Sequence, residues 1–169
     1  MTTPLPTALG GKDFLVWRLD RDTHAPAWDS GEGSYRAGGR WNSKGVRAVY
    51  CSVDPATAIL EVAVHKGFDA LDAVPHTLTS AIVTNPASIH VAAEAAIPNG
   101  NWLKPVAPSA AQQRFGDALL AAHRFVLLPS AVSNRSWNLI FLKSGAAGAY
   151  TFRDQEPFSL DTRLNAPKP

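Results

Sequence analysis

Only one cysteine, Cys51, occurs among the 169 residues, so no disulfide can form within the chain. No stretch approaches the roughly 18 consecutive apolar residues of a membrane span. The opening MTTPLPTALGGKD lacks the basic lead and apolar core of a secretory signal. These absences make a soluble protein of the cytoplasm, with no membrane contact, the expectation. A surplus of one charge is missing as well: sixteen Lys and Arg against fourteen Asp and Glu leave +2. The pI of 8.9 looks basic, yet so small a net charge spread over a whole surface is a weak attractor for nucleic acid, and direct DNA binding is not expected.

Several catalytic signatures are also absent. The run GEGSYRAGG resembles a phosphate loop, but GxGxxG needs a glycine where Arg36 stands. GxxxxGK[ST] fails because Lys44 precedes Gly45 instead of following it. His24, His65, His76, His90 and His123 show neither HxxxH nor HExxH spacing, so no metal site is expected. No GxSxG elbow is present to support a Ser-His-Asp hydrolase. Cys51, within an apolar run, reads as a small buried hydrophobe.

What is present is a globular composition, 46% hydrophobic and 18% charged, in a length that suits one domain. Residues 1–12, with Pro4, Pro6 and Gly10-Gly11, read as a lead-in to a single domain over 13–169. Residues 14–19 (FLVWRL) alternate as a strand with Phe14, Val16 and Arg18 on one face. Residues 20–45 form a long connection without periodicity. Trp28, Tyr35 and Trp41 mark it as an ordered binding loop, because rings of that size are normally packed. A second strand over 46–52 (VRAVYCS) leads to Asp54, a helix N-cap, and Pro55, a first helical residue; Gly67 stops that helix after Lys66. Strands are then expected over 78–84 and 89–91, with a proline-rich loop over 98–109. Ser109 caps a helix over 110–122 whose packed face is Ala111, Phe115, Ala118, Leu119 and Ala122. Strands over 124–128 and 139–142, and short ones near Tyr150 and Phe158, complete an α+β domain.

Within this frame the block from Gly38 to Glu61, GGRWNSKGVRAVYCSVDPATAILE, holds three polar side chains on three successive elements. Each has a plain explanation alone: Arg40 as a solvated loop charge, Tyr50 as strand packing, Glu61 as a helix residue paired with His65. Together, a strand feeding a helix through a tight turn can bring them to one pocket.

These residues resemble the RES domain family, named for its Arg, Glu and Ser. The likeness rests on Arg18 in the first strand, the GGRWN box with Gly45, the spacing of Tyr50 and Glu61, and LLPSAVSNRSWNLI further on, and it spans roughly residues 14–145. Where the family often carries Asn-Pro after its last motif, this chain has Phe141-Leu142-Lys143. The resemblance implies an ADP-ribosyltransferase-like fold around an NAD cleft, with Arg40, Tyr50 and Glu61 as the catalytic set. It also implies that Arg18, Gly39, Trp41, Ser130 and Asn138 line the NAD pocket. It further implies a bacterial toxin that consumes NAD as substrate, by hydrolysis or phosphorolysis, or that ADP-ribosylates a protein. Its partner would be an Xre-like helix-turn-helix antitoxin that blocks the active site and supplies any DNA contact. A non-catalytic nucleotide-binding module is the reading from a different class.

Overall fold

The computed structural model describes residues 13–165; the lead-in expected over 1–12 lies outside them. Seven strands form one mixed sheet: β1 (Phe14–Arg21), β2 (Ala48–Ser52), β3 (His76–Val83), β4 (Ile89–Val91), β5 (Phe125–Pro129), β6 (Trp137–Leu142) and β7 (Tyr150–Phe158). Their order is β4-β5-β6-β2-β1-β3-β7, antiparallel except for the β4–β5 pair. Four helices accompany them: α1 (Glu32–Ala37), α2 (Pro55–Lys66), α3 (Phe68–Ala73) and α4 (Ala110–Ala122). The α+β domain expected from the sequence is the one observed.

Strand alternation divides the side chains between two faces. Phe14 and Val16 of β1, Val49 and Cys51 of β2, Phe125 and Leu127 of β5, and Leu139 and Phe141 of β6 build the main core on one side. Burial pushes the Cys51 thiol up to about 12, so it stays neutral. The opposite side has two covers. Over β2, β5 and β6, residues Ala48, Val126, Leu128 and Ile140 pack with Trp41, Leu120 and their neighbours from α4. Over β1 and β3, Leu19 and Leu78 pack with Ala63 of α2 and Leu71 of α3.

The sheet is weakest between these two covers. β1 aligns with β3 along eight residue pairs and β2 with β6 along five, whereas β1 and β2 meet only at Trp17 and Ser52. Close to that point the Tyr50 carbonyl accepts a hydrogen bond from the Arg18 guanidinium at 2.8 Å.

α2 starts and stops where its capping residues require: Asp54 accepts from the Thr57 N–H at 2.7 Å, and Gly67 closes the C-terminus at φ 78°. Three expectations need correcting. The 20–45 connection is not irregular throughout, since it contains α1 and a 3-10 turn, Ala25–Ala27; Trp28 and Trp41 are buried in it, while Tyr35 is exposed beneath the Arg47 guanidinium. Residues after Gly67 form α3 before the chain turns to strand. α4 buries Gln112, Gly116 and Leu120, with Ala111, Ala118 and Ala122 outward. The reason is Gly116: a Cβ there would lie 2.0 Å from the Trp41 carbonyl oxygen, so the helix packs through a glycine notch that an apolar count does not register.

Candidate active site

Glu61 lies in the second turn of α2, half-buried, on the side that faces the end of the β5–β6 hairpin. Its Oε1 accepts from the Ser130 hydroxyl at 2.9 Å and from the Asn138 side-chain amide at 2.5 Å. It does not turn toward His65. Both of these hydrogen bonds fall on the same oxygen, Oε1. Ser130 follows the last residue of β5 and is 4% exposed; its hydroxyl oxygen also accepts from the backbone N–H groups of Val132 and Ser133. It is therefore both the organiser of the 130–133 turn and a donor to the carboxylate. Asn138, on β6, stands directly across from Ser52 on β2, whose hydroxyl donates to the Asn138 carbonyl oxygen at 2.8 Å.

The start of α2 is tied to the same hairpin. Asp54 accepts from the Thr57 N–H and hydroxyl and from the Ser136 hydroxyl at 2.6 Å. Burial would raise the Asp54 carboxyl, but the Ser136 and Thr57 hydrogen bonds outweigh it and hold the group below the usual carboxylate range.

Tyr50 shares a face of β2 with Ala48 and Ser52. Its hydroxyl accepts from the Trp41 N–H at 3.0 Å and donates to Asn42 Oδ1 at 2.7 Å. Burial pushes the phenol well above its usual range, with Arg40 close enough to oppose that shift and Asp117 and Glu61 close enough to add to it. The phenol, bonded on both sides, ties the loop at Trp41 and Asn42 to β2. Gly39 is required by this anchor: a Cβ would lie 2.5 Å from Asn42 Oδ1 and 2.7 Å from the Tyr50 hydroxyl.

The remaining expected residues take different places. Arg40 spreads its guanidinium over three carbonyls, of Trp102 (3.0 Å), Lys104 (3.1 Å) and Val106 (3.2 Å), and so pins the proline-rich loop. Trp41 was expected to line a pocket; its ring is instead 1% exposed, packed edge-on against Trp102 and tilted against Phe115. Only its backbone N–H reaches the site. Arg18, expected to line the NAD pocket, projects from the Phe14 and Val16 face, held by Asp20 in a two-pronged pair at 2.8 and 2.9 Å. Sequence reasoning missed Asn42, Ser52, Asp54's link to Ser136, and Gln113, which donates to the Gly39 carbonyl at 2.9 Å. No metal-holding group of three or more His, Cys, Asp or Glu is present among the described residues. Two surface hollows lie elsewhere, one by Trp17, Ser80 and Arg153, the other by Ser30, Arg47 and Lys143.

The RES domain family model matches residues 15–161, which include every side chain just described. The chain belongs to the RES domain family. Over 151 residues this RES domain is 29% identical to the protein named Toxin Res of Pseudomonas putida KT2440, across 89% of this chain and 99% of that one. A Toxin Res of Photorhabdus laumondii subsp. laumondii is 40% identical over 58 residues, 34% of this chain and 37% of the other. In three dimensions the RES domain is similar to a chain in the crystal structure of the M. tuberculosis MbcT–MbcA toxin–antitoxin complex, with a TM-score of 0.67 over 87% of this chain and 85% of that one. At 18% identity that likeness is one of fold.

Proposed function

We propose that this RES-domain protein is the toxin of a toxin–antitoxin pair, and that it breaks the nicotinamide–ribose bond of NAD and depletes the cytoplasmic pool. The observation that carries the reading is the carboxylate of Glu61, held through one oxygen by Ser130 and Asn138. A carboxylate oriented in this way suits the bond in question. Nicotinamide is cationic in NAD and leaves as a neutral ring with the bonding electron pair, so no general acid is needed. The anomeric carbon is left with oxocarbenium character, as in glycoside cleavage. Glu61 Oε2 accepts from a ribose hydroxyl, and the carboxylate stabilises the developing positive charge. Water then adds at the anomeric carbon and loses a proton to solvent, giving ADP-ribose; inorganic phosphate in its place gives the phosphorylated product.

Arg40 is assigned to the pyrophosphate. Its three carbonyl acceptors belong to a surface loop, and phosphate oxygens, being charged, are stronger acceptors for the same planar fork. The Tyr50 ring is assigned to stacking on nicotinamide, its hydroxyl being occupied by Trp41 and Asn42. The partner is assigned as an Xre-like helix-turn-helix antitoxin covering this site, on the strength of relatives named as toxins and a neighbour described in a toxin–antitoxin complex.

The test is free nicotinamide released by the purified protein. Release by the wild type, lost in Glu61→Gln, supports the reading. NAD bound without nicotinamide release favours a non-catalytic module instead. Release that occurs only with a protein acceptor, which gains ADP-ribose, favours a mono-ADP-ribosyltransferase.

A further inference from the structure

We infer that Ser52 is a positioning residue for Glu61, acting through Asn138; as a statement about catalysis this rests on the function proposed above. Ser52 ends β2 at the single point where β1 and β2 meet, paired across with Asn138 on β6. Both are buried, at 3% and 8% exposure, so neither has water as a ready substitute partner. The Ser52 hydroxyl donates to Asn138 Oδ1, and Asn138 Nδ2 donates to Glu61 Oε1. The three groups make a directed chain, hydroxyl to amide to carboxylate, in which each donor points toward Glu61.

The chemistry of the ends sets that direction. An ionised carboxylate only accepts, so the amide must present its NH₂ to Glu61 and its carbonyl oxygen to β2. A buried carbonyl oxygen there needs a donor, and the Ser52 hydroxyl is the group across the strand that supplies it. Bonds in such a chain polarise one another, so the Asn138 amide is a stronger donor with Ser52 in place. Without that hydroxyl the amide keeps its attraction to the carboxylate but loses the anchor that fixes its tilt. Ser130 has its own anchors, the Val132 and Ser133 N–H groups. The two donors to Glu61 Oε1 are therefore held independently, one by a turn and one by a neighbouring strand. Ser52 touches neither the carboxylate nor, on this reading, the substrate.

Two readouts on Ser52→Ala test this, and neither depends on the other. The first is the ¹³C signal of the Glu61 side-chain carboxyl in the ligand-free protein. It moves on Ser52→Ala, although the two residues do not touch, and returns on Ser52→Thr, which keeps the hydroxyl. The second is NAD turnover: Ser52→Ala lowers kcat about tenfold, the weight of roughly one hydrogen bond, leaves KM nearly unchanged, and Ser52→Thr restores kcat. A Glu61 signal that stays in place in folded Ser52→Ala overturns the inference, whether or not kcat falls. A kcat equal to wild type overturns the catalytic part. If wild-type protein consumes no NAD, the proposed function fails, and the carboxyl signal alone still decides whether Ser52 positions Glu61.

Discussion

Replacing Glu61 by glutamine keeps the side chain's volume and removes its charge while leaving an oxygen for Ser130 and Asn138 to reach. Because the charge is needed only as the anomeric carbon becomes cationic, kcat for NAD is expected to fall by about 10²–10³, the cost of removing one such electrostatic partner, with a smaller change in KM. Steady-state nicotinamide release measures both. Tyr50→Phe removes a hydroxyl that satisfies the Trp41 N–H and Asn42 Oδ1, both within the domain. Leaving two such groups unpaired is expected to cost about 1–3 kcal/mol in urea unfolding. NAD turnover by the folded fraction should survive, since the ring is retained. At this scale the sequence was only partly legible. Ser130 and Asn138 came from a family likeness, because nothing in the local pattern tells that residues 69 and 77 positions beyond Glu61 return to its carboxylate. Trp41 misled because a tryptophan beside an arginine in a glycine-rich loop looks like a ligand contact. Its burial depends on α4, far along the chain.

At the scale of elements, α2 carries the site and its anchorage can be tested separately from its chemistry. Asp54→Ala removes a cap and the link to Ser136, and is expected to destabilise the domain by at least about 1 kcal/mol. The pH dependence follows in sign. Hydrogen bonding holds the Asp54 carboxyl low in the folded state, so its stabilising contribution is full above the ordinary carboxylate value near 3.8 and is lost as the pH falls below it through the depressed folded value. The stability gap between wild type and Asp54→Ala, read by urea titration, should therefore narrow below about pH 4 and stay constant above pH 5. On α4, Gly116→Ala would drive a Cβ into the Trp41 carbonyl. The helix has to move, at an expected cost of about 1–3 kcal/mol, visible as a lower urea midpoint. Helix limits were readable because caps are local: Asp54, Pro55, Gly67 and Ser109 act within a few residues. The packed face of α4 was not, since it is set by a glycine notch and by Gln112, which donates to the Trp102 carbonyl at 3.0 Å. α3 was hidden because the glycine that ends α2 also begins the next helix.

For the whole molecule, what matters is a seven-stranded sheet in which β1 and β2 align at a single residue pair, with α2 over the half on one side of it and α4 over the other. Glu61 of α2 reaches across to Ser130 and Asn138 at the strand ends of the other half. No helix among the described residues is long and apolar enough to cross a membrane. In cells, expression of the wild type is expected to arrest growth with a fall in NAD. Glu61→Gln should be tolerated, and co-expression of the antitoxin should restore growth. The most direct measurement is the mass of the products after purified protein is incubated with NAD, with and without inorganic phosphate. Free nicotinamide together with ADP-ribose or its phosphorylated form is expected, and intact NAD with Glu61→Gln. Intact NAD from folded wild-type protein under both conditions, or equal cleavage by Glu61→Gln, would contradict it.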